Sequence, residues 1–211
     1  MTRLWLGVLV VVSCGEAIPA TRYYGLVAPA RVAAAPGTAT LDVEPLAAER
    51  PYDDDRIVYR VDPFRVDYYE YHHWSASPGT LVANYLIQAL DHTGRFRSVV
   101  HAPSNAVTMT LGGHVVALEE VDVTPARWVG HVALELDLTD QATGRQVWSQ
   151  RYDETEPMPA RSPEGLARAL TTALARITRS AAPTIARLAE ARASGAGAIT
   201  GMVDWSRRPG W

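Results

Sequence analysis

The stretch of residues 55–78 constrains the fold of this chain more than any other part of its sequence. Residues 57–61 and 65–71 each alternate between two sides, as β-strands do, and a proline turn separates them. Ser77-Pro78 then predicts a helix start, with serine as the N-cap and proline at the first helical position. The stretch therefore predicts an antiparallel β-hairpin that leads directly into a helix.

The amino terminus has the pattern of a lipoprotein export signal. Arg3 precedes an apolar run over residues 4–12, which ends in Val-Val-Ser-Cys at Cys14. The run is shorter than the about 20 apolar residues that a helix needs to span a bilayer, so it predicts the core of a signal peptide. Val-Val-Ser-Cys resembles a bacterial lipobox, in which cleavage before the cysteine precedes lipidation of its thiol. We predict a signal peptide over residues 1–13 and a lipidated tether over residues 14–21.

Lipidation of Cys14 would hold the protein on a membrane without spanning it. Cys14 is the only cysteine of the chain, so it has no intramolecular disulfide partner. Each buried CH₂ of an acyl chain contributes about 0.8 kcal/mol, and more than one chain gives durable binding. Gly15 follows, rather than the aspartate that retains many lipoproteins at the inner membrane. We therefore expect the protein on the outer membrane, facing the periplasm.

The next part of the chain begins a single predicted domain over residues 22–193. Residues 22–27 and 41–46 have the pattern of strands, and the Ala-, Pro- and Gly-rich segment between them predicts a loop. In the helix that begins at Pro78, apolar residues at helical spacing continue up to Gly94, which predicts the helix end.

The clearest hairpin lies in the second half of the chain. Residues 109–122 predict a long strand in which Gly112-Gly113 marks a bulge or a close backbone approach. A turn over residues 140–144 joins the following two strands. One face of the strand before that turn is mostly apolar and consists of Trp128, Gly130, Val132, Leu134, Leu136 and Leu138.

A second helix is predicted from Ser162-Pro163. Pro183 should end or kink it near Ala182, with a further turn or two up to Ala193. Residues 194–211 predict a flexible tail, and the alternative is that its tryptophans, Trp205 and Trp211, dock on a partner. The order of elements is strands, helix, antiparallel strands, helix. It predicts an α+β fold, a mostly antiparallel β-sheet with two main helices packed on one face.

The hairpin of residues 55–78 is unusually rich in aromatic side chains. Tyrosine suits a half-buried strand, and this β-propensity explains most of them. Those that face outward are candidates for a partner interface, because Tyr and Trp are enriched in such contacts. The candidates are Tyr68, Tyr69, Tyr71 and Trp74.

Composition and motifs exclude several classes of function. The formal net charge is −3 and the pI about 6.1, so the chain has no basic field to attract a nucleic acid. The sequence has no GxSxG, Gly-rich phosphate loop, HExxH or CxxC. We therefore predict no catalytic residue and no cofactor.

No metal site is predicted either. His72 and His73 are adjacent in a strand and point to opposite faces, and the other histidines are isolated. Three aspartates at residues 53–55 have the pattern of a solvated turn. The least implausible catalytic cluster is Asp67, Glu70 and His72, and exposure on a strand explains these residues better.

Several short motifs, taken in order, resemble the ABC-type transport auxiliary lipoprotein family. They are Tyr-Tyr-Gly-Leu at residues 23–26, Asp-Arg-Ile-Val-Tyr-Arg at 55–60, Tyr-Tyr-Glu-Tyr-His-His-Trp at 68–74 and Thr-Gly-Arg-Gln-Val-Trp at 143–148. The motifs are individually loose, and their order and spacing carry the resemblance. It covers the chain from Cys14 to about Ile177.

The resemblance implies a non-catalytic periplasmic domain on the outer membrane that serves an Mce-type lipid transport system. Its partners would be an Mce-type substrate-binding protein, an ABC permease and an ATPase. The lipoprotein would dock the periplasmic part of this transporter, and a homo-oligomeric ring is one possible assembly. The alternative is a lipid-binding chaperone or an outer-membrane assembly lipoprotein, which would have a deep apolar cavity between sheet and helices.

Overall fold

The computed structural model describes residues 19–102 and 106–195. The predicted signal peptide, Cys14 and most of the predicted tail lie outside these residues. The strands are β1 (Arg22–Tyr24), β2 (Thr40–Val43), β3 (Ala47–Ala48), β4 (Arg56–Asp62), β5 (Arg65–Trp74), β6 (Ser98–Val100), β7 (Val107–Thr124), β8 (Arg127–Asp140) and β9 (Arg145–Pro157). The helices are α1 (Pro78–His92) and α2 (Pro163–Ala193). The predicted α+β class is confirmed.

Strand β7 lies at the centre of the sheet. Along one edge it pairs antiparallel with β8 over almost its whole length. Along the other edge it pairs in parallel with β2, β3 and β4 in succession. β5 extends the sheet from β4 and β9 extends it from β8, both antiparallel. Short parallel pairs add β1 to β5 and β6 to β2, so the sheet is mixed, with antiparallel pairing between its longest strands.

Both helices pack on one face of the sheet. On β8, Val132 and Leu134 point to this face and are fully buried. Gly130 points the same way and lies so close to α2 that a Cβ there would be 3.0 Å from the Cβ of Ala169. Alternate residues such as His131 point to the opposite face, which we call the outer face.

Gly113 permits the closest approach between strands β7 and β8. Its φ is +139°, and a Cβ there would lie 1.9 Å from the carbonyl oxygen of Glu135. The pairing of β7 with β8 continues without a register shift at Gly113 and shifts further along, between Val115 and Ala117 and between Asp122 and Thr124. Of the two predicted alternatives for this glycine, the structure has the close approach.

The two helix starts follow the predicted Ser-Pro pattern, with one difference. The Oγ atom of Ser162 accepts a hydrogen bond from the N–H of Gly165 at 3.0 Å and caps α2. Ser77 occupies the same position before α1, but its hydroxyl donates to Oγ1 of Thr80 instead. The predicted side-chain cap is therefore present in α2 and wrong for α1.

Pro183 does not end α2. The helix continues through it to Ala193, because residues on both sides of Pro183 are buried in the core. Ala182 and Ile185 are 1% and 0% exposed. Burial of this apolar stripe offsets the missing backbone hydrogen bond of proline.

The predicted hairpin of residues 57–71 is confirmed as β4 and β5. Its turn is fixed by Asp62, whose Oδ1 accepts hydrogen bonds from the N–H groups of Phe64 and Arg65 at 2.8 and 3.0 Å. Phe64 projects from this turn and is 97% exposed. Because β4 runs parallel to β7, this turn lies at the same end of the sheet as the β7–β8 turn.

Residues 25–38 form a strap across the two helices. The N–H of Val32 donates to the carbonyl oxygen of His92 in α1 at 2.8 Å, and the N–H of Val27 lies 3.4 Å from Oγ1 of Thr171 in α2. Val27 and Val32 are nevertheless 73% and 59% exposed. The predicted loop thus has a defined path over α1 and α2.

Candidate functional site

The structure separates the four predicted interface residues. Trp74 is 1% exposed and belongs to the core, so its ring offers no surface to a partner. The hydroxyl of Tyr69 donates to Glu120 inside the domain at 2.8 Å. Tyr68 and Tyr71 remain partly accessible on β5. Simple alternation would pair Tyr68 with Trp74 and Tyr69 with Tyr71, but the pairing of β4 with β5 shifts register between Val58 and Arg56, and this irregularity changes which residues share a face.

Tyr68 and Tyr71 contribute to an aromatic surface at one edge of the outer face. The guanidinium of Arg56, on the outer face of β4, lies 3.9 Å from the ring centre of Tyr68. His73 lies two residues after Tyr71, and its ring is 5.9 Å from that of Tyr23 on β1. We call Tyr23, Tyr68 and Tyr71 the outer tyrosine strip. Tyr23 is 65% exposed.

Two adjacent glutamates on β7 form the centres of two polar networks. Glu119 is 4% exposed and points to the outer face, and Glu120 is 0% exposed and points to the helices. A buried carboxylate costs free energy unless donors satisfy its oxygens. The surrounding elements supply those donors on each face.

Strands and loops from both sides of β7 supply donors to Glu119. The hydroxyl of Tyr52 and the Nε of Arg60 both lie 2.7 Å from its Oε2 atom. Nδ1 of His131 lies 3.3 Å from Oε1, and the second ring nitrogen lies 3.0 Å from Oδ1 of Asp153. The network therefore joins β4, β7, β8 and β9 across the outer face.

These contacts shift the ionisation of the network in opposite directions. Burial alone would raise the pKa of Glu119, but hydrogen bonds from His131, Tyr52 and Arg60 outweigh it and lower the pKa. The hydrogen bond to Glu119 raises the pKa of His131, and Asp153 adds to the rise, against the effect of burial. A charged Glu119 and a protonated His131 therefore stabilise each other.

Glu120 binds partners that approach from the helix side. Oε1 accepts from Nε of Arg161 at 3.1 Å, and Tyr69 donates to Oε2. Arg161 also binds Asp122 at 2.7 Å and lies over the ring of Trp128. Burial raises the pKa of Glu120, and the hydrogen bonds from Tyr69 and Arg161 oppose that rise only in part.

Both glutamates thus stabilise the interior of the domain, and their carboxylates are not free to act on a ligand. Tyrosine, arginine or histidine donors hold both oxygens of each carboxylate. Within residues 19–102 and 106–195, no group of three or more His, Cys, Asp or Glu side chains is placed to hold a metal ion. The arrangement holds five strands and the start of α2 in register.

The least implausible catalytic cluster is not assembled. Asp67 binds Arg65 at 2.6 Å, and Nδ1 of His72 lies 2.6 Å from the hydroxyl of Tyr24. Glu70 is exposed beside Tyr71, whose pKa it raises through a hydrogen bond and its charge. The three residues therefore have three separate partners.

Two cavities of the described residues lie beside the strap. One of about 530 Å³ is lined by Tyr24, Val27 and residues of α2, and one of about 360 Å³ by Val32, His92 and residues of α2. Between sheet and helices, Leu86, Leu118 and Leu170 are at most 1% exposed. Side chains thus fill the space around these three leucines, in the region where the chaperone alternative would need a deep cavity.

Sequence reasoning missed both networks. His131 was predicted to be an isolated strand residue, and Glu119 and Glu120 carried no motif. One signal was available, because two consecutive glutamates interrupt the apolar part of a long strand at residues 115–121. A charge on each face of a central strand requires a partner on each face.

In the part of the chain that the structure describes, neither α1 nor α2 is long and apolar enough to cross a membrane.

The fold and the two glutamate networks define a class of protein, an α+β domain. It has a buried carboxylate on each face of its central strand and accessible tyrosines at one edge of its outer face. The model of the ABC-type transport auxiliary lipoprotein component family matches residues 24–182, and the chain belongs to this family. The resemblance stated from the sequence motifs is thus confirmed. No curated protein matches the sequence significantly.

Solved structures of similar fold come from several bacteria. A Xanthomonas campestris protein of the DUF330 family has a TM-score of 0.65 at 18% identity, over 84% of this chain and 98% of that one. An uncharacterized protein has a TM-score of 0.63 at 16% identity, over 79% and 99% of the two chains. PelC from Paraburkholderia phytofirmans, crystallised as a dodecamer, has a TM-score of 0.46 at 22% identity, over 76% and 93%. The first two likenesses support the fold alone.

Proposed function

We propose that this chain is the outer-membrane lipoprotein of an Mce-type lipid transport system and docks the periplasmic part of the transporter without catalysing a reaction. The observation that carries the proposal is the family match over residues 24–182, because the family consists of auxiliary components of ABC-type transport. The direct partner would be the Mce-type substrate-binding protein, with the ABC permease and ATPase behind it. Confinement to a membrane raises the local concentration of a docking site, so a modest interface suffices.

Cys14 would carry the anchor in this proposal. Mass spectrometry of the mature protein is expected to find an amino-terminal cysteine with a diacylglyceryl group and a further acyl chain. Separation of the two membranes by density should place the protein with the outer membrane. An intact Met1 or an unmodified Cys14 would contradict the anchor.

The outer tyrosine strip is the proposed docking surface. It is aromatic, Tyr23 is exposed, Tyr68 and Tyr71 are partly exposed, and the Arg56 guanidinium lies over the Tyr68 ring. Tyrosine and arginine are enriched at protein interfaces. Trp74 is excluded because it is buried, and Tyr69 is committed to Glu120. The strip therefore keeps Tyr68 and Tyr71 of the four residues predicted from the sequence and adds Tyr23.

Affinity purification from membranes that contain the whole transport system tests docking. Tyr68→Ala with Tyr71→Ala is expected to lower recovery of the Mce-type protein several-fold. Glu135→Ala with Arg151→Ala removes an exposed pair at the far edge of the sheet and should leave recovery unchanged, which makes it the matched control. Equal loss in both double variants would contradict the assignment of the strip.

The chaperone alternative has a different outcome in the same experiment. If wild-type protein recovered no Mce-type protein or permease, and instead carried bound phospholipid, docking would be wrong and the chaperone function would be favoured. The mass of the purified complex in detergent also tests the proposed homo-oligomeric ring, which predicts one closed size rather than a monomer.

A further inference from the structure

The chain has two phenylalanines with opposite environments. Phe96 is 2% exposed, whereas Phe64 is 97% exposed at the tip of the β4–β5 hairpin. A single exposed apolar residue needs no explanation, because folded surfaces contain many. Phe64 differs because other exposed apolar residues lie at the same end of the sheet.

These other residues lie at the end of β7 and in the turn that joins it to β8. Val58 pairs with Glu119 in parallel register, and continuing this register brings Val123 next to Asp62 at the end of β4. Val123 is 48% exposed. Each turn also contains an exposed proline. We call Pro63, Phe64, Val123 and Pro125 the hairpin-tip surface.

Both turns have side-chain hydrogen bonds that fix their shape. Asp62 accepts from two backbone N–H groups in the first turn, and Oγ1 of Thr124 accepts from the N–H of Ala126 at 3.3 Å in the second. Phe64 is therefore held outward by an ordered backbone. Arg65 and Arg127 flank the surface, and arginines of this kind place an apolar stem in a membrane interface with the charge in water.

The direction of the amino-terminal chain points to what covers this surface. β1 runs parallel to β5, with Arg22 paired to His72, so the chain that arrives at Arg22 along the direction of β1 comes from the hairpin-tip end. Cys14 precedes Arg22 by eight residues, and Phe64 precedes His72 by eight. Eight residues reach about 28 Å when extended, at about 3.3–3.6 Å each. The tether is long enough to bring acyl chains on Cys14 to the level of Phe64.

We propose that the hairpin-tip surface lies in the lipid interface of the membrane to which Cys14 is anchored, with Phe64 inserted among the headgroups and upper acyl chains. The inference rests on the proposed anchor at Cys14. It orients the domain: the turn at residues 141–144 lies at the opposite end of β8 and faces away from the bilayer.

A fluorescent label on an introduced cysteine tests this orientation. When Cys14 is lipidated, the thiol of Phe64→Cys is the only free thiol of the full chain. The lipidated protein is reconstituted into vesicles of phosphatidylethanolamine and phosphatidylglycerol, with and without brominated acyl chains. We expect a blue-shifted emission and quenching by the brominated lipid.

Two further labels make the result independent of one substitution. Ala126→Cys probes the second turn and should also be quenched. Thr143→Cys, exposed in the β8–β9 turn, is the matched control and should be neither shifted nor quenched. Equal signals from all three labels would overturn the orientation. Shielding of the tip labels without vesicles, or only in the presence of another protein, would show a protein contact instead and would also overturn it.

The state of Cys14 separates this inference from the function on which it rests. A lipidated Cys14 with unquenched tip labels overturns the orientation alone and leaves the anchor in place. An unmodified Cys14 overturns both. Loss of Mce-type protein recovery in the Tyr68 and Tyr71 variant concerns docking only and does not alter the labelling result.

Discussion

At the scale of single residues, Glu119 and Glu120 both stabilise this domain, but their pKa values shift in opposite directions. Each is buried, and they point to opposite faces of the same strand. Glu119 is held charged by cationic and neutral donors, whereas burial dominates the ionisation of Glu120. The loss of a donor should therefore leave an unsatisfied carboxylate in either network.

Tyr69→Phe tests the Glu120 network. The substitution removes one donor to a carboxylate that is 0% exposed, so we expect the free energy of unfolding to fall by about 1–3 kcal/mol. Tyr71→Phe, on the same strand but outside the network, should change it by less than about 0.5 kcal/mol. Urea unfolding measures both, and equal effects would show that Tyr69 contributes only its ring.

His131 should make stability depend on pH. Glu119 of β7 and Asp153 of β9 face its ring and raise its pKa above the usual value of about 6.5. This contribution is fully present below about pH 6.5, the pKa of the unfolded state, and is lost as the pH rises through the higher pKa of the folded state. We expect the wild-type melting temperature to fall across that window and His131→Gln to flatten the dependence. Melting curves at a series of pH values decide it, and an unchanged slope in the variant would be the contrary result.

The residue scale is also where sequence reasoning predicted least. The hydroxyl of Tyr52, the guanidinium of Arg60 and the ring of His131 converge on Glu119 from separate parts of the chain. No local spacing encodes that meeting. Alternation predicted that Tyr68 and Tyr69 point to different faces, but it could not show which tyrosine would find a buried acceptor.

At the scale of elements, two glycines with positive φ should respond very differently to alanine. At Gly113 a Cβ would meet the carbonyl oxygen of Glu135 at 1.9 Å, and at Gly144 it would meet nothing within 4 Å. We expect Gly113→Ala to cost at least about 4 kcal/mol, because backbone must move, and Gly144→Ala about 1–2 kcal/mol from left-handed strain alone. Thermal unfolding compares them, and similar costs would show that β7 and β8 can separate locally.

Pro183 should destabilise α2, so that its replacement raises the free energy of unfolding. It is exposed, and the helix continues through it without its backbone hydrogen bond. Pro183→Ala should raise the free energy of unfolding by about 2 kcal/mol, since proline costs about 3 kcal/mol in a helix interior and returns up to about 1 through the unfolded chain. Arg187→Ala, an exposed control one turn later, should have little effect. A destabilised Pro183→Ala variant would mean that proline shapes the packing of α2 on the sheet.

Several elements with local signals were predicted well. Ser162-Pro163, the turn at Asp62 and the alternation of β8 each act within a few residues, and each has its predicted structure. Pro183 does not end the helix, because burial of Ala182 and Ile185 overrides a local preference. Tertiary packing often outweighs intrinsic helix propensity in this way.

At the scale of the whole molecule, the pairing of strands was the part that sequence could not supply. Antiparallel neighbours joined by a short turn follow from the sequence, and β4–β5 and β8–β9 were predicted in this way. The parallel contacts of β2, β3 and β4 with β7 join distant segments. The local sequence does not distinguish a strand that pairs with its neighbour in the chain from one that pairs with a distant segment.

The position of β7 in the chain affects how the domain folds during synthesis. Three earlier strands all require β7 as their neighbour, and it begins only at Val107. A chain that emerges from its amino terminus therefore cannot complete its sheet until the second half has appeared. Contacts so distant in sequence slow folding and prolong the exposure of unpaired edges. The first half of this protein should thus depend on a holding chaperone during biogenesis and be degraded when synthesis stops before β7.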